Sequence, residues 1–170
     1  INMVPNTMNE KNKRLKVLIT GGSRGIGRGI AHILNQANYE VIAIGMNKEA
    51  KFLNSEIRYI QADLSSSDGI DVIAQLISVE EVPILINCLG IEKNCKFIET
   101  TKENYDFVMR TNVTCHVELT KAAIPNMIKN GWGKIIFITS IWGSIGTRNR
   151  AVYTMSKFAL HGLALSLADE

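Results

Sequence analysis

The 170 residues predict an α/β fold, a doubly wound parallel sheet with helices on both faces. The first observation is an alternation, repeated five times, of short apolar runs with longer segments of helical periodicity. The second is the fourth apolar run, residues 83–90, which is hydrophobic at nearly every position. Such a run is typical of a parallel strand that is covered on both faces.

Three strands and two helices are expected in the first half of the chain. The strands are assigned to apolar runs at residues 15–20, 40–45 and 57–63. The first helix, residues 25–37, is expected to bury one apolar face, formed by Ile26, Ile30, Ile33 and Leu34. Ser65 and Asp68 have the spacing of a capping box, which opens a second helix over 66–78.

The second half repeats this alternation with longer helices. Thr100 and Glu103 also have the capping-box spacing, and they predict a helix that runs to about Asn130, just before a glycine. A fifth strand is expected over 134–140, and a closing helix is expected from about Arg150. No repeat or linker interrupts the pattern, so one domain is predicted.

Composition excludes several classes of function. The net charge is only +3, part of it in the lead-in of residues 1–14, and no basic stripe with interleaved aromatic residues predicts nucleic-acid binding. The longest charge-free run near the end, residues 135–147, is too short to span a membrane, and the N-terminus lacks the apolar core of a signal peptide. The three cysteines form no CxxC pair, so we expect no metal site and a reduced, cytoplasmic environment.

The glycine-rich sequence TGGSRGIG, residues 20–27, follows the first strand and opens the first helix. Unpaired N–H groups at the positive end of a helix favour a pyrophosphate, so a Rossmann-type dinucleotide site is expected here. Gly21 is expected to permit the turn, Gly25 to let the backbone approach the ligand, and Gly27 to allow close helix–strand packing. The other cofactor contacts predicted in this turn are Ser23, Arg24 and Ile26.

The end of the second strand indicates which cofactor is bound. Residues 45–47 are Gly-Met-Asn, so no carboxylate is present to bind both ribose hydroxyls and repel a 2′-phosphate. Arg24 would pair with that phosphate, unless it is simply a solvated side chain. NADP(H) is therefore favoured over NAD(H). Asp63 would accept from the adenine amino group, cap the next helix, or do both, and Leu64 beside it is a further predicted contact.

Four polar residues predict acid–base chemistry. Tyr153 and Lys157 are four residues apart and share one helix face. A tyrosine ordinarily loses its proton at about pH 10, and a neighbouring ammonium favours the phenolate. Ser140 follows the fifth strand, at the edge where open α/β sheets bind ligands, and would hold a substrate oxygen. Asn112 lies in the middle of a predicted helix, either exposed, bonded to its own backbone, or facing the cleft.

Five motifs occur in the order and spacing of one known family: TGGSRGIG, INCLG, MRTNVTCHVELTKAAIP, GKIIFITSIWG and YTMSK. From Leu15 to Glu170 the chain resembles the short-chain dehydrogenase/reductase family, and most of all its 3-oxoacyl-(acyl-carrier-protein) reductase-like group. The resemblance implies hydride transfer between nicotinamide C4 and a carbonyl or alcohol carbon of a small molecule. It makes Tyr153 the general acid/base and Lys157 the ligand of the nicotinamide ribose. Ser140 would then polarise the substrate oxygen, and Asn112 would hold a proton-relaying water.

Two departures from the family pattern stand out. The usual Asn-Asn-Ala-Gly is Asn87-Cys88-Leu89-Gly90 here, in which Asn87 and Gly90 keep their implied roles as cofactor contacts. Family members usually continue beyond this point with two further strands and a segment that covers the substrate. Residues 15–170 therefore correspond to a C-terminally incomplete dinucleotide-binding and catalytic domain.

The resemblance also implies a homodimer or homotetramer. Candidate packing residues on the last helix are Ala159, Leu160, Leu163 and Leu167, although a sheet-facing stripe would use the same residue types. The three histidines, His32, His116 and His161, show no metal-ligand spacing. Two other functions stay open: a dinucleotide-binding module without turnover, and an interaction protein that keeps the fold but has lost the cofactor.

Overall fold

The computed structural model describes residues 14–51 and 56–170, so most of the predicted lead-in lies outside the described residues. Within them, five strands form one parallel sheet in the order β3-β2-β1-β4-β5. The strands are β1 (Lys16–Thr20), β2 (Glu40–Gly45), β3 (Arg58–Gln61), β4 (Ile84–Asn87) and β5 (Lys134–Phe137). The longer helices are α1 (Gly25–Gln36), α2 (Ser67–Val79), α3 (Lys102–Met109), α4 (Cys115–Lys129) and α5 (Ala151–Asp169).

The central strands β1, β2 and β4 are buried on both faces, and the parallel sheet with its helices confirms the predicted fold class. Alternate strand residues point to opposite faces. On one face the side chains of Leu18, Ile42 and Leu85 pack with α2 and α4. On the other, Val17, Ile19 and Val41 pack against α1. The chain crosses over between β1 and β4, and such a switch point is where open α/β sheets bind ligands.

The strands β4 and β5 are shorter than predicted, because their last apolar residues belong to the loops that follow them. Strand β4 ends at Asn87 instead of Gly90, and β5 ends at Phe137 instead of Ser140. Backbone pairing of β5 with β4 stops after a last bond from the Ile138 N–H to the Asn87 carbonyl. The two loops then diverge, so apolar character alone overestimated the strand length.

Both predicted helix caps are displaced by one residue. Ser66 Oγ, not Ser65, accepts the Gly69 N–H at 3.1 Å, because the Ser65 hydroxyl donates to the Asp63 carboxylate. In the same way Thr101 Oγ1 accepts the Asn104 N–H at 3.2 Å. Thr100, which was predicted to cap α3, lies against the Cys95 thiol instead.

The apolar face of α1 also differs from the prediction. Ile26 and Ile33 are each 66% exposed, whereas Ile30 and Leu34 pack against the sheet. Fully buried Ala31 lies at the centre of the sheet-facing line. Because successive helical residues are rotated by about 100°, Ile26 and Ile33 lie roughly 140° and 160° away from Ala31, on the solvent side of the helix.

The single long helix predicted from Thr100 to Asn130 is divided. A wide π-type turn, Arg110–Thr114, lies between α3 and α4. Turns of this kind are frequent at functional sites. Its centre is Asn112, which is fully buried. None of the helices described has the combination of length and apolarity that a membrane span needs.

Candidate active site

A cleft of about 580 Å³ lies at the carboxyl ends of the strands. Most of the predicted site residues line it, namely Gly21, Ser23, Arg24, Gly25, Ile26, Gly27, Asp63, Leu64, Gly90, Tyr153 and Lys157. Three predicted residues, Asn87, Asn112 and Ser140, do not line it. The size is that of a pocket for a cofactor or small ligand.

The glycine-rich turn has the backbone that its sequence predicts. Gly21 has φ +67°, and a Cβ there would lie only 2.9 Å from Leu89 Cα. Gly25 has φ +53° with nothing within 4 Å of a Cβ position, so the backbone is open on the side where a ligand would approach. Gly27 packs on the turn and not on the strand as predicted, since its Cβ would lie 2.4 Å from the Gly21 carbonyl oxygen.

The first turn of α1 leaves its N–H groups without a side-chain cap. Arg24 occupies the N-cap position with extended backbone, and its side chain makes no capping hydrogen bond. No acidic residue lies in the first turn. Free N–H groups and the positive end of the helix dipole both favour an anion at this point.

The end of β2 is crowded by neighbouring side chains. A Cβ at Gly45 would lie 2.7 Å from Ser23 Oγ and 3.0 Å from Tyr59 Oη. The Tyr59 hydroxyl also donates to the Asn47 carbonyl at 2.7 Å. A carboxylate at position 45 therefore has no room unless Ser23 and Tyr59 both move.

Asp63 organises the turn before α2. Its Oδ1 accepts from the Ser65 N–H at 2.9 Å and from the Ser65 hydroxyl at 2.7 Å. The prediction that Asp63 caps α2 is therefore wrong, because Ser66 supplies that cap and Asp63 binds Ser65 in the turn before it. The exposed carboxylate also lines the cleft, whereas Leu64 is buried in the core beneath it.

The segment after β4 forms one wall of the cleft, and buried side chains hold its backbone. Thr20 Oγ1 accepts from the N–H groups of Cys88 and Leu89, at 3.0 and 3.1 Å. Asn112 pairs with both polar groups of Ile91, since Oδ1 accepts from its N–H and Nδ2 donates to its carbonyl, each at 2.8 Å. Asn87 lies fully buried behind this wall and not in the cleft.

The structure brings Tyr153 and Lys157 together in the cleft. The Lys157 Nζ lies 5.7 Å from the centre of the Tyr153 ring and donates to the Ile138 carbonyl at 3.1 Å. Lys157 is only 3% exposed, and this burial lowers the pKa of its ammonium. The ammonium is thus fixed in a place that water scarcely reaches, next to the phenol.

Ser140 and Asn112 lie outside the cleft lining, and only Asn112 is linked to this pair by hydrogen bonds. Ser140 caps a short turn, Ile141–Gly143, by accepting the Trp142 N–H at 3.2 Å. Asn112 Nδ2 also donates to Ser156 Oγ at 3.0 Å. The Ser156 hydroxyl in turn donates to the Tyr153 carbonyl at 2.6 Å. Of the alternatives for Asn112, an exposed side chain is excluded.

Sequence reasoning missed several of these polar residues. Ser156 lies within the motif YTMSK, directly before Lys157, so its position in the helix was available. His116 follows Asn112 by four residues, and that spacing places both on one helix face. Within the described residues, no group of three or more His, Cys, Asp or Glu is placed to hold a metal ion.

Proteins of known name match most of the chain. Nodulation protein G of Rhizobium meliloti is 32% identical over 162 residues, which are 91% of this chain and 66% of that protein. The 3-oxoacyl-(acyl-carrier-protein) reductase MabA of Mycobacterium bovis is 32% identical, over 91% of this chain and 62% of that protein. NADPH-dependent pterin aldehyde reductase of Arabidopsis thaliana is 34% identical, over 91% and 68%. The chain thus spans about two thirds of the length of these relatives.

Solved structures of similar fold contain either form of the nicotinamide cofactor. The structure of 4-hydroxyisoleucine dehydrogenase complexed with NADH has a TM-score of 0.81 and 25% identity, covering 91% of this chain and 68% of that one. A crystal structure from Beutenbergia cavernae with bound NADP has a TM-score of 0.84 and 26% identity, covering 92% and 66%. The predicted fold and its resemblance are both confirmed by these matches.

A family profile matches almost the whole described chain. The short chain dehydrogenase profile covers residues 15–170, which include every predicted site residue. The relatives include reductases of the group that the five motifs predicted. The chain therefore belongs to the short-chain dehydrogenase/reductase family.

Proposed function

We propose that this chain forms the dinucleotide-binding and catalytic part of an NADP(H)-dependent oxidoreductase, which transfers hydride between nicotinamide and a carbonyl or alcohol carbon of a small molecule. The observation that carries the proposal is the placement of Tyr153 beside the buried Lys157 ammonium, in the cleft at the switch point of the sheet.

The cleft fits a dinucleotide. The open backbone at Gly25 and the uncapped N-terminus of α1 would receive the pyrophosphate. The segment after β4, which includes Gly90, would line the nicotinamide half, and Asp63 with Leu64 would line the adenine half. When bound, the cofactor supplies or accepts the hydride.

Side chains of this protein would transfer the proton that accompanies hydride transfer. Lys157, held by the Ile138 carbonyl, places its ammonium 5.7 Å from the centre of the Tyr153 ring. Tyr153 then gives a proton to the substrate oxygen during reduction, or takes one during oxidation. Ser140, at the end of β5, would hold that oxygen by a hydrogen bond. Asn112 would contribute to proton relay towards Lys157, besides pairing with Ile91.

The preference for NADP(H) rests on the residues at the end of β2. Position 45 is a glycine over which Ser23 and Tyr59 are packed, and Arg24 and Asn47 line the cleft beside it. The charge of Arg24 would favour a 2′-phosphate. One relative is named as NADPH-dependent, and solved structures of the fold contain NADH or NADP.

We also propose a cytoplasmic homodimer or homotetramer. The three cysteines are free thiols, as a reducing compartment would keep them. Phe158 and Leu165 of α5 expose apolar surface, at 44% and 65%. Leu160, one of the predicted packing residues, is fully buried in the chain itself and is not available for an interface.

The test compares Tyr153→Phe with the control Tyr105→Phe, which changes an exposed tyrosine on α3. Fluorescence titration measures NADPH and NADH affinity, and cofactor consumption is measured with a panel of ketones and aldehydes. We expect NADPH binding by all three proteins, and at least a hundredfold lower turnover only in Tyr153→Phe. Equal turnover in Tyr153→Phe would remove the acid–base role. Binding without any turnover by the wild type would point to a non-catalytic module.

A further inference from the structure

His116 is a fully buried imidazole that the proposed chemistry does not use. It lies on α4, and its two ring nitrogens face two different groups at the end of β4. Nε2 lies 2.9 Å from the Leu89 carbonyl oxygen. Nδ1 lies 3.0 Å from the Asn87 amide oxygen as the structure orients that amide, and the Asn87 amide nitrogen donates to the Thr120 hydroxyl at 3.3 Å.

The partners of this imidazole determine which nitrogen carries its proton. A carbonyl oxygen only accepts, so Nε2 must be the donor to Leu89. Burial, with a contribution from the positive charge of Lys157, lowers the pKa of His116 to about 4, so the ring holds one proton at neutral pH. Nδ1 is then an acceptor, and it needs a donor from Asn87.

The amide of Asn87 can meet this need without any backbone movement. Its oxygen and nitrogen are nearly equal in size, so the amide can turn over about its last bond. Its nitrogen then donates to His116 Nδ1, and its oxygen accepts from the Thr120 hydroxyl. In this arrangement every polar atom of the three buried side chains has a complementary partner, as buried groups require.

The Leu89 carbonyl belongs to the wall of the cleft. Thr20 holds the N–H of the same residue from the other side, at 3.1 Å. The wall contacts the glycine-rich turn, since a Cβ at Gly21 would lie 2.9 Å from Leu89 Cα. At its other end a Cβ at Gly90 would lie 2.9 Å from the Lys157 ammonium. A shift of this wall would therefore change the space for a ligand next to both groups.

We propose that His116 is a positioning residue for the dinucleotide site: its neutral imidazole, protonated at Nε2, holds the Leu89 carbonyl and fixes the wall of residues 88–90 against the glycine-rich turn. We call the hydrogen bond from His116 Nε2 to the Leu89 carbonyl the clamp. The identity of the ligand rests on the proposed function, but the clamp does not. An apolar side chain of similar volume would remove the partner of the Leu89 carbonyl and of one end of the Asn87 amide, which is costly for buried groups.

The test uses His116→Leu, which removes both hydrogen bonds, and His116→Gln, whose amide can donate to the same carbonyl. The control is Ile77→Ala, which weakens the core at α2, away from the cleft lining. We expect NADPH affinity to fall about tenfold or more in His116→Leu, and to stay within about threefold of wild type in His116→Gln. Ile77→Ala is expected to lower the thermal midpoint while leaving the affinity unchanged.

Two readouts test the clamp without any cofactor. In nitrogen NMR spectra of the wild type, His116 is expected to be the Nε2–H tautomer at neutral pH. In hydrogen exchange, the Cys88 and Leu89 amides should exchange at least tenfold faster in His116→Leu than in Ile77→Ala. A Nδ1–H tautomer, or equal exchange in both variants, would overturn the proposal. If the wild type binds neither dinucleotide, the proposed function fails, but these two readouts still decide the clamp. If His116→Leu does not fold, the proposal is decided by the His116 tautomer in the wild type and by the exchange rates of the Cys88 and Leu89 amides in His116→Gln.

Discussion

At the residue scale, Lys157 places a positively charged group in a site that is almost completely buried from solvent. Lysine is almost never fully buried without a paired partner. Here the ammonium is 3% exposed and donates to a neutral carbonyl, that of Ile138. Burial lowers its pKa, so the charged form is less favourable in the folded chain than in the unfolded one. A functional charge of this kind is expected to be maintained at a cost in stability.

Replacing this charge by Lys157→Met should separate stability from activity. Under the proposed function we expect turnover to fall about a hundredfold or more, because Tyr153 loses the ammonium beside its ring. The thermal midpoint at neutral pH should not fall, because the variant no longer buries an ammonium. Lys121→Met, which changes an exposed lysine on α4, should leave both quantities unchanged. A midpoint several degrees below wild type in Lys157→Met would contradict this account.

Gly45 allows a second prediction at the residue scale, about cofactor choice. Gly45→Asp places a carboxylate where it would bind ribose hydroxyls, but its Cβ would lie 2.7 Å from Ser23 Oγ. We therefore expect weaker binding of both NADPH and NADH, instead of a switch to NADH. Titration with each cofactor checks this, with Gly29→Asp on the open side of α1 as the control. Tighter NADH binding by Gly45→Asp alone would contradict this expectation. It would show that the side chains of Ser23 and Tyr59 move aside at little cost.

At the scale of elements, the wide turn between α3 and α4 directs Asn112 into the protein. The side chain there satisfies the N–H and the carbonyl of Ile91, which lies outside any strand or helix. The side chain thereby supplies the backbone hydrogen bonds that a strand or a helix would otherwise provide in that loop.

Asn112→Leu leaves these backbone groups of Ile91 without partners. We expect the free energy of unfolding to fall by about 1 kcal/mol or more, since an unpaired buried group costs about 1–3 kcal/mol and the two groups of Ile91 are only partly buried. Denaturant titration measures it, and Asn104→Leu on α3 serves as the control with little expected change. Equal stability of the two variants would argue against the structural role of Asn112.

Neighbouring threonines at the start of α3 test the displaced cap. Thr101→Ala should lower stability by about 1 kcal/mol, because the Asn104 N–H loses its acceptor. Thr100→Ala should cost distinctly less, since Thr100 makes no cap. Denaturant titration of both variants distinguishes the two positions. The reverse order of the two losses would restore the cap that the sequence pattern predicted.

At the scale of the whole molecule, His116 makes the stability of the folded chain depend on pH. Its pKa is about 4 in the folded chain, below the ordinary value of 6.5. Between these two values the unfolded chain binds more protons than the folded one, so stability rises with pH. The contribution is fully present above about pH 6.5 and is lost as the pH falls towards about 4, a change of about 3 kcal/mol.

His116→Gln should therefore flatten this part of the stability profile. Denaturant titrations from pH 7 to pH 4 would show a smaller decrease in the variant than in the wild type. His161→Gln, which changes an exposed histidine on α5, is the matched control and should keep the wild-type slope. A parallel decrease in all three proteins would assign the acid sensitivity to other groups.

Local patterns carried most of the prediction of the site. The glycines of the turn and the pair Tyr153 and Lys157 are close in sequence, and helical or turn geometry alone brings each set together. Boundaries of elements were predicted less well. Apolar character placed the end of β4 too late, at Gly90 instead of Asn87. The capping-box spacing placed the caps of α2 and α3 one residue too early. There, one side chain competes with its neighbour for the same backbone group, and the sequence pattern is almost the same for both.

The sequence by itself determined the alternating α/β fold, the glycine-rich turn and the pairing of Tyr153 with Lys157, because each depends on residues within one or two turns of one another. The tertiary structure alone decided how the wall after β4 is held. Thr20 reaches Cys88 across 68 positions, Asn112 reaches Ile91 across 21, and His116 reaches Leu89 across 27. No spacing rule covers such contacts, because they arise only when packing of the sheet and helices brings distant backbone groups to a side chain that satisfies them.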